Sequence, residues 1–364
     1  MANTKEKILD FLNDENFISG ESLAEKCAVS RTAIHKAISA LREDGYQIEA
    51  VTNKGYKITS VPDKIDESEI LRFLDDLGTS GIKVHTFTTI DSTNTEAMRR
   101  ATATGAFRDE KGSLTNGGEK LHKALFVSGE QTAGKGRLGR TFVSPPNAGV
   151  YFSFVFSPKN GVKNPALLTS AAAVAVAKSI NELYCEKKEL CGIKWVNDVF
   201  FAEKKITGIL TEGITNFESG TIEAAIVGIG INVRPAGLTG DLAKIVGNIE
   251  EGLLANNLPK RKIVRNELVA HVIHYLTLYY EAFEQSESEQ SKLLISEMMD
   301  FYKKNSILIG KTLKVNPTAG INQEGYMATV KDITKDAELV VELENGERKI
   351  LHSGEVSLHS YDFV

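Results

Sequence analysis

A chain of 364 residues, 42% hydrophobic and 25% charged, has room for two or three folded domains and is neither fibrous nor disordered in composition. Its net charge of −5 excludes a globally basic nucleic-acid protein, so any DNA contact must come from a local arrangement of side chains. The odd set Cys27, Cys185 and Cys191 contains no Cys-x-x-Cys pair and makes a poor disulfide framework, which fits a reducing, cytoplasmic setting. The most apolar run, 166–177, is too short to span a bilayer, so no membrane role is expected.

Residues 1–62 read as three helices and a hairpin. Ile8, Leu9 and Leu12 mark the first helix, Leu23, Ala24 and Cys27 the second. Ile34, Ala37, Ile38 and Leu41 give the third a clear helical period. Ser30 is placed to cap that third helix and Gly45 to end it, and the short Ala28-Val29-Ser30 link is that of a helix-turn-helix. Two alternating segments around Asn53 and Lys54 follow as a basic-tipped wing. With the apolar positions facing inward, Arg31, Thr32, His35, Lys36, Ser39 and Arg42 point outward, and with Lys54 they suit phosphates and base edges of a major groove. Residues 31–57 carry five basic and three acidic side chains, a weak local footprint. Useful affinity then calls for two copies on one operator, hence a homodimer. The bland alternative is a winged helix used for packing or protein contact.

Pro62 breaks the strand pattern and marks 59–65 as a linker. Asp66 and Glu69 form a capping-box start to a helix that stops at Gly78, opening a second domain over 63–304. Strands are expected at 84–87, 124–127, 149–156 and 222–228, and helices at 94–103, 165–183 and 262–283. That order suits a mixed sheet backed by helices. Residues 105–123 show no period of either kind and read as a mobile surface insertion. His271 and His274 share a helix face without a third ligand, an amphipathic-helix feature, and Glu284, Glu287 and Glu289 read as a solvated face or loop. Residues 305–364 return to short strands with an Asn345-Gly346 hairpin signal, a small β-barrel. The whole is α+β.

Two stretches carry the chemistry. Lys194-Trp195-Val196-Asn197-Asp198, with Lys205 seven residues on, sets a carboxylate, an amide and a cation in one strand-turn-strand segment. Gly134-Lys135-Gly136-Arg137-Leu138-Gly139-Arg140 matches Gly-x-Gly-x-x-Gly, but Ser144-Pro145-Pro146-Asn147 follows where a dinucleotide or P-loop site needs a helix. What remains is a flexible basic loop or, more blandly, a solvated turn. Two anions about 4 Å apart repel by roughly 4 kcal/mol at a protein surface, so joining a carboxylate to a nucleotide phosphate needs cations between them. Lys135, Arg137, Arg140 and Lys205 could supply that charge, with Asp198 holding Mg²⁺.

Asp91-Ser92-Thr93-Asn94, Gln131 with the 134–140 loop, the 194–198 run, Lys205 with Gly208-Ile209-Leu210, and Gly228-Ile229-Gly230-Ile231-Asn232 stand in the order seen in biotin protein ligases. The N-terminal winged helix and the closing run 353–358 resemble the bifunctional class, ligase and biotin-operon repressor in one chain. The resemblance implies an SH3-like C-terminal barrel. It implies that Ser92, Thr93, Asn94 and Gln131 bind the biotin ring, and that Lys135, Gly136 and Arg137 close over biotin and its adenylate. It further implies that Lys205 and Arg137 act in catalysis, that Arg137, Arg140, Trp195, Asn197, Asp198 and Asn232 serve ATP, and that Asp198 holds Mg²⁺. Single residues keep blander readings: Trp195 as core, Asn232 as a turn former. The implied reaction joins biotin and ATP into biotinyl-5′-adenylate and transfers biotin to a lysine of a biotin carboxyl carrier protein domain.

Three departures stand out: Lys135 where the family loop usually has arginine, Val196 where proline is usual, and Phe142 where tryptophan is common. Competing functions are a ligand-responsive DNA-binding regulator with a weak or degenerate ligase site, which intact Arg137, Asp198 and Lys205 oppose, and a lipoate or octanoate ligase, which the biotin-type loop opposes.

Overall fold

A computed structural model describes residues 4–13, 16–43, 46–60, 63–216, 220–259, 262–317, 325–352 and 356–359. The expected roles of Gly45, Pro62 and residues 353–355 lie outside the described residues. The chain forms two compact units, Met1–Lys64 and Ile65–Val364.

The first unit has helices α1 (Thr4–Leu9), α2 (Gly20–Cys27) and α3 (Arg31–Glu43) and a hairpin of β1 (Gln47–Val51) and β2 (Gly55–Ser60). Ser30 Oγ accepts from Ala33 N at 3.2 Å, the cap read from the sequence, and Ala28 turns the chain between α2 and α3 through a left-handed φ of 55°. Ile8, Leu23, Cys27, Ile34, Ile38, Leu41, Ile48 and Ile58 form its core.

In the second unit, α4 (Glu67–Asp76) starts where Asp66 Oδ1 accepts from Glu69 N at 2.9 Å. A seven-stranded sheet follows, built from β3 (Lys83–Phe87), β4 (Ala124–Ser128), β5 (Gly149–Phe156), β6 (Cys191–Lys194), β7 (Asp198–Phe201), β8 (Lys204–Thr215) and β9 (Ile222–Asn232). Its order is β3-β4-β5-β9-β8-β7-β6, and only β3 and β4 pair parallel. Side chains alternate across a strand, so β9 turns Val227, Ile229 and Ile231 toward one face and Gly228, Gly230 and Asn232 toward the other. The branched face belongs to the main core, shared with α7 (Pro165–Tyr184), α10 (Arg265–Glu284) and α11 (Glu289–Lys304). By length and composition α7 is long and apolar enough to cross a membrane, but 78% of that window is buried inside the fold.

The 105–123 expectation needs correcting. The segment is packed: Phe107 and Leu121 are buried in a second cluster with Ala97, Ala101, Phe126 and Ile226, and Asn116–Leu121 is a short helix capped by Thr115. It covers the far end of the glycine-bearing sheet face, beyond α5 (Thr93–Thr104). Two buried apolar side chains among polar ones are too few to show a period, although they suffice to anchor the loop. Glu284, Glu287 and Glu289 are exposed, as a solvated face or loop should be, and the turn at 285–288 leads into α11, which Ser288 caps by accepting from Ser291 N.

A five-stranded antiparallel sheet completes the unit: β10 (Thr312–Pro317), β11 (Tyr326–Ile333), β12 (Leu339–Leu343), β13 (Arg348–Leu351) and β14 (Val356–His359), in the order β13-β12-β11-β10-β14. Gly346, at φ 83°, makes the turn the Asn-Gly signal asked for. Val315, Val330, Leu339 and Val341 share the main core with the central sheet.

Candidate functional site

The small-residue face of the sheet is the floor of a cavity of about 480 Å³. Ser92, Thr93, Asn94, Gln131, Lys135, Gly136, Arg137, Arg140, Trp195, Asn197, Asp198, Lys205 and Asn232 all line it, so the side chains singled out from five separate stretches meet in one place.

One end of the cavity is neutral and tightly bonded. Ser92 caps α5, with its Oγ accepting from Thr95 N at 3.4 Å, which sets Thr93 and Asn94 in the first turn, both nearly fully buried. Gln131 Oε1 accepts from Thr93 N at 2.9 Å and Thr93 Oγ1 at 3.2 Å, while its Nε2 donates to Ser144 Oγ at 3.0 Å. Asn94 Nδ2 donates to Glu212 Oε2 at 2.7 Å, and Asn94 Oδ1 accepts from Ser153 Oγ at 2.5 Å. Gly228 makes this approach possible: a Cβ there would stand 2.1 Å from Asn94 Oδ1. Phe142 lies over the neighbouring glycines, its ring 2.5 Å from where a Cβ on Gly230 would stand and 2.9 Å from one on Gly208.

The other end is charged. Lys205 Nζ stands 2.7 Å from Asp198 Oδ1, both only partly exposed. A register shift in the β7–β8 pairing puts them together: Asp198 pairs with Gly208 and Val199 with Thr207, but Phe200 pairs with Lys205. Regular alternation would place Lys205 on the face opposite Gly208, and the bulge turns it back toward the cavity. Asp198 Oδ1 is buried and accepts no hydrogen bond, so its contact with Lys205 is one of charge rather than of hydrogen-bond direction. Arg137 Nη1 donates to Asn197 Oδ1 at 3.1 Å, and Asn197 is pinned to β8 through Ile209 O. Burial pushes the Arg137 guanidinium below its usual range, partly offset by Asp198. Burial likewise lowers the Lys194 ammonium, against the pull of Asp198 and with the push of Lys205 and Arg140. Positive charge is concentrated here beyond what one carboxylate neutralises.

The loop itself is a tight turn. Gly136 N donates to Arg140 O at 2.7 Å and Phe142 N to Gly134 O at 2.9 Å, with Leu138 in the left-handed region and 66% exposed at its tip. Trp195 borders the cavity but is buried, its indole N–H donating to Ala337 O at 2.7 Å. Its bland reading as core holds alongside its place in the lining, because that bond ties the turn carrying Asn197 and Asp198 to the C-terminal sheet.

Sequence reasoning left Ser153, Glu212 and Lys194 without assigned roles and overlooked the apolar wall of Leu238, Leu242 and Ile245. Glu212 had a signal in its period, two residues beyond Leu210 on the same strand face. The apolar wall had none, since 236–246 shows no pattern. His274 Nδ1 lies 2.7 Å from Thr79 Oγ1, and no three metal-ligating side chains cluster among the described residues.

In the first unit Arg31, Thr32, His35 and Lys36 are exposed on α3 and Ser39 is half-buried. Arg42 is exposed as well, and its Nε and Nη2 both donate to Ile48 O, at 3.1 and 2.7 Å, so it also ties the helix to the hairpin. Lys54 is exposed on the wing, and Lys54 and Lys57 hold their ammoniums 6.0 and 5.2 Å from the Phe17 ring centre.

Residues 113–232 match the biotin/lipoate A/B protein ligase family, and residues 4–57 match a helix-turn-helix domain. A biotin protein ligase from Aquifex aeolicus, solved with biotin and ATP, has the same fold at a TM-score of 0.56 and 23% identity, over 76% of this chain and 98% of that one. The bifunctional ligase/repressor BirA of Escherichia coli K12 is 27% identical over 97% of each chain. BirA of Bacillus subtilis strain 168 is 31% identical, over 85% of this chain and 88% of its own. A ligase cavity on the small-residue face, a helix-turn-helix unit before it and this end-to-end similarity place the chain in the bifunctional BirA ligase/repressor family.

Proposed function

We propose that the protein activates biotin with ATP, transfers it to a lysine of a biotin carboxyl carrier protein domain, and as a homodimer represses an operator in response to biotin, working in the cytoplasm. The observation that carries the ligase reading is the convergence of a neutral bonded pocket and a cationic pocket in one cavity. It matches a substrate with an uncharged polar head and an anionic tail that must meet a triphosphate. Ser92, Thr93, Asn94 and Gln131 take the ureido ring, and Phe142 and the glycine floor take its apolar body.

In the first step a carboxylate oxygen attacks the α-phosphorus, the bond to the β-phosphate oxygen breaks, and pyrophosphate leaves. Lys205 and Arg137 offset the negative charge crowding at that centre, an effect strengthened where burial lowers the local dielectric. Arg140, Trp195, Asn197, Asp198 and Asn232 shape the nucleotide side. In the second step the acceptor amine attacks the acyl carbon, the bond to the phosphate oxygen breaks and AMP leaves. Lys135, Gly136 and Arg137 keep water from the mixed anhydride meanwhile.

Mg²⁺ would be held here by Asp198, the one carboxylate among the residues lining the cavity, which it would share with Lys205. A single carboxylate sharing the ion with phosphates and water is the usual Mg²⁺ arrangement, and it would supply charge neutralisation at the triphosphate. The three free, buried cysteines support a reducing compartment. Arg31, Thr32, His35, Lys36, Ser39 and Lys54 face the operator, with Arg42 bracing them. Mass measurement of protein incubated with biotin, ATP and Mg²⁺ tests the reading. A bound biotinyl-adenylate together with biotin-dependent pyrophosphate release is expected, and absence of both overturns it.

A further inference from the structure

The geometry points to Glu212 as a positioning residue that fixes which way the polar groups at the neutral end of the cavity face. The inference rests on reading that end as the biotin-head site and adds a residue that lies behind it.

An asparagine amide offers an oxygen acceptor on one side and a nitrogen donor on the other, nearly equal in shape, so an unconstrained Asn94 could present either. A carboxylate only accepts. Glu212 Oε2, 2.7 Å from Asn94 Nδ2, therefore holds the nitrogen toward β8, where Leu210 O is a second, longer acceptor at 3.4 Å, and leaves Oδ1 toward Ser153, whose hydroxyl donates to it at 2.5 Å. Ser153 Oγ also lies 2.7 Å from Thr93 Oγ1, and the Thr93 hydroxyl in turn donates to Gln131 Oε1 at 3.2 Å. The far end of the chain is fixed in the same manner. Phe142 O, another pure acceptor, takes the Ser144 hydroxyl at 3.0 Å, leaving Ser144 Oγ to accept from Gln131 Nε2 at 3.0 Å and turning Gln131 Oε1 toward Thr93.

Two acceptors that cannot donate thus bracket the row, and within it the single Ser153 hydroxyl proton has both Asn94 Oδ1 and Thr93 Oγ1 in reach. Glu212 does not line the cavity; it acts through Asn94. Removing it leaves Asn94 Nδ2 with only the longer bond to Leu210 O at 3.4 Å, so the amide is free to turn, and the inverted state offers a donor where the head needs an acceptor, or the reverse. A ureido ring, with one carbonyl between two N–H groups, tolerates no such inversion.

The test is steady-state pyrophosphate release with biotin and ATP varied in turn. Glu212→Leu, close in size but unable to accept, is expected to raise the KM for biotin about tenfold while leaving kcat and the KM for ATP within about twofold. Glu212→Gln, which can still accept through its amide oxygen, is expected to restore most of the biotin affinity. In an Asn94→Ala background Glu212→Leu should change nothing further, because its effect passes through that amide. An unchanged biotin KM in Glu212→Leu, additive losses in the double variant, or equal rises in both KM values overturn the inference. Should Glu212→Leu not fold, Ser153→Ala reads the same row, and an unchanged biotin KM there is equally fatal. Wild-type protein that releases no pyrophosphate with biotin would instead defeat the ligase reading, and this inference with it.

Discussion

The two ends of the cavity are built on opposite plans. At the neutral end nearly every polar atom is already spoken for by another protein atom, from Glu212 through Asn94, Ser153, Thr93 and Gln131 to Ser144. At the other, Arg137, Arg140, Lys194 and Lys205 crowd around Asp198, and burial disfavours the charges of Arg137 and Lys194. A neutral head is recognised by groups held still before it arrives, because each buried donor or acceptor left unpaired would cost about 1–3 kcal/mol. An anion is recognised by charge kept in reserve, whose cost is repaid when phosphate enters. On the proposed reading, the contrast teaches that affinity for the ring and rate at the phosphorus should reside in different residues.

Lys205→Ala should therefore strike rate hardest. Removing a cation from the centre where charge develops is expected to lower kcat for pyrophosphate release by about 10²–10³ while biotin still binds and the fold persists. Isothermal titration with biotin beside the kinetics checks it; a loss of biotin affinity as large as the loss of rate would erase the division between the two ends.

Gly228→Ala is the matching blow to the neutral end. Its new Cβ would meet Asn94 Oδ1, which Ser153 and Glu212 hold in place. The expected outcome is a biotin KM raised more than about tenfold with the KM for ATP nearly unchanged. Equal damage to both would mean that the sheet, rather than the pocket, had been disturbed.

How much of this was legible in the sequence follows the same line. Local signals held: β5 runs over the expected 149–156, α7 starts at Pro165 behind an Asn164 cap, and the glycine alternation of 228–232 marks both the ligand floor and the core face. The motif residues named the cavity because each stretch carries its chemistry in a few adjacent positions. What escaped depends on partners far along the chain. Nothing near Glu212 announces Asn94, 118 residues earlier, and nothing near Trp195 announces Ala337. The bulge that turns Lys205 inward is a one-residue slip that composition cannot reveal. Phe107 and Leu121 look like stray apolar residues until the sheet face they cover is known.

The held-versus-reserve distinction recurs on α3. Arg31, Lys36 and Arg42 are all exposed, but Arg42 is also committed to Ile48 O through its Nε and Nη2. Replacing Arg31 and Lys36 together by alanine should weaken duplex binding about tenfold and lower the magnitude of the salt slope by roughly two. Ligation should be untouched, as fluorescence anisotropy on DNA beside pyrophosphate release would show. Arg42→Ala should instead lower the melting temperature of the N-terminal unit by a few degrees.

The smallest expected effect lies at the lid between the two ends. Lys135 lines the cavity on the loop closed by Gly136 N–Arg140 O and Phe142 N–Gly134 O, and a lysine offers a point charge where arginine would offer a planar fork to a phosphate. The loop should therefore close but hold the adenylate less firmly than an arginine would. Lys135→Arg is expected to slow adenylate release about threefold to tenfold, a change on the order of 1 kcal/mol, with the KM for biotin unaltered because the neutral end does not sense it. Release followed by chasing preformed, labelled adenylate with unlabelled biotin and ATP reads this directly. Equal rates in both proteins would mean that Lys135 adds nothing specific to retention, and that Arg137, braced by Asn197, supplies the hold alone.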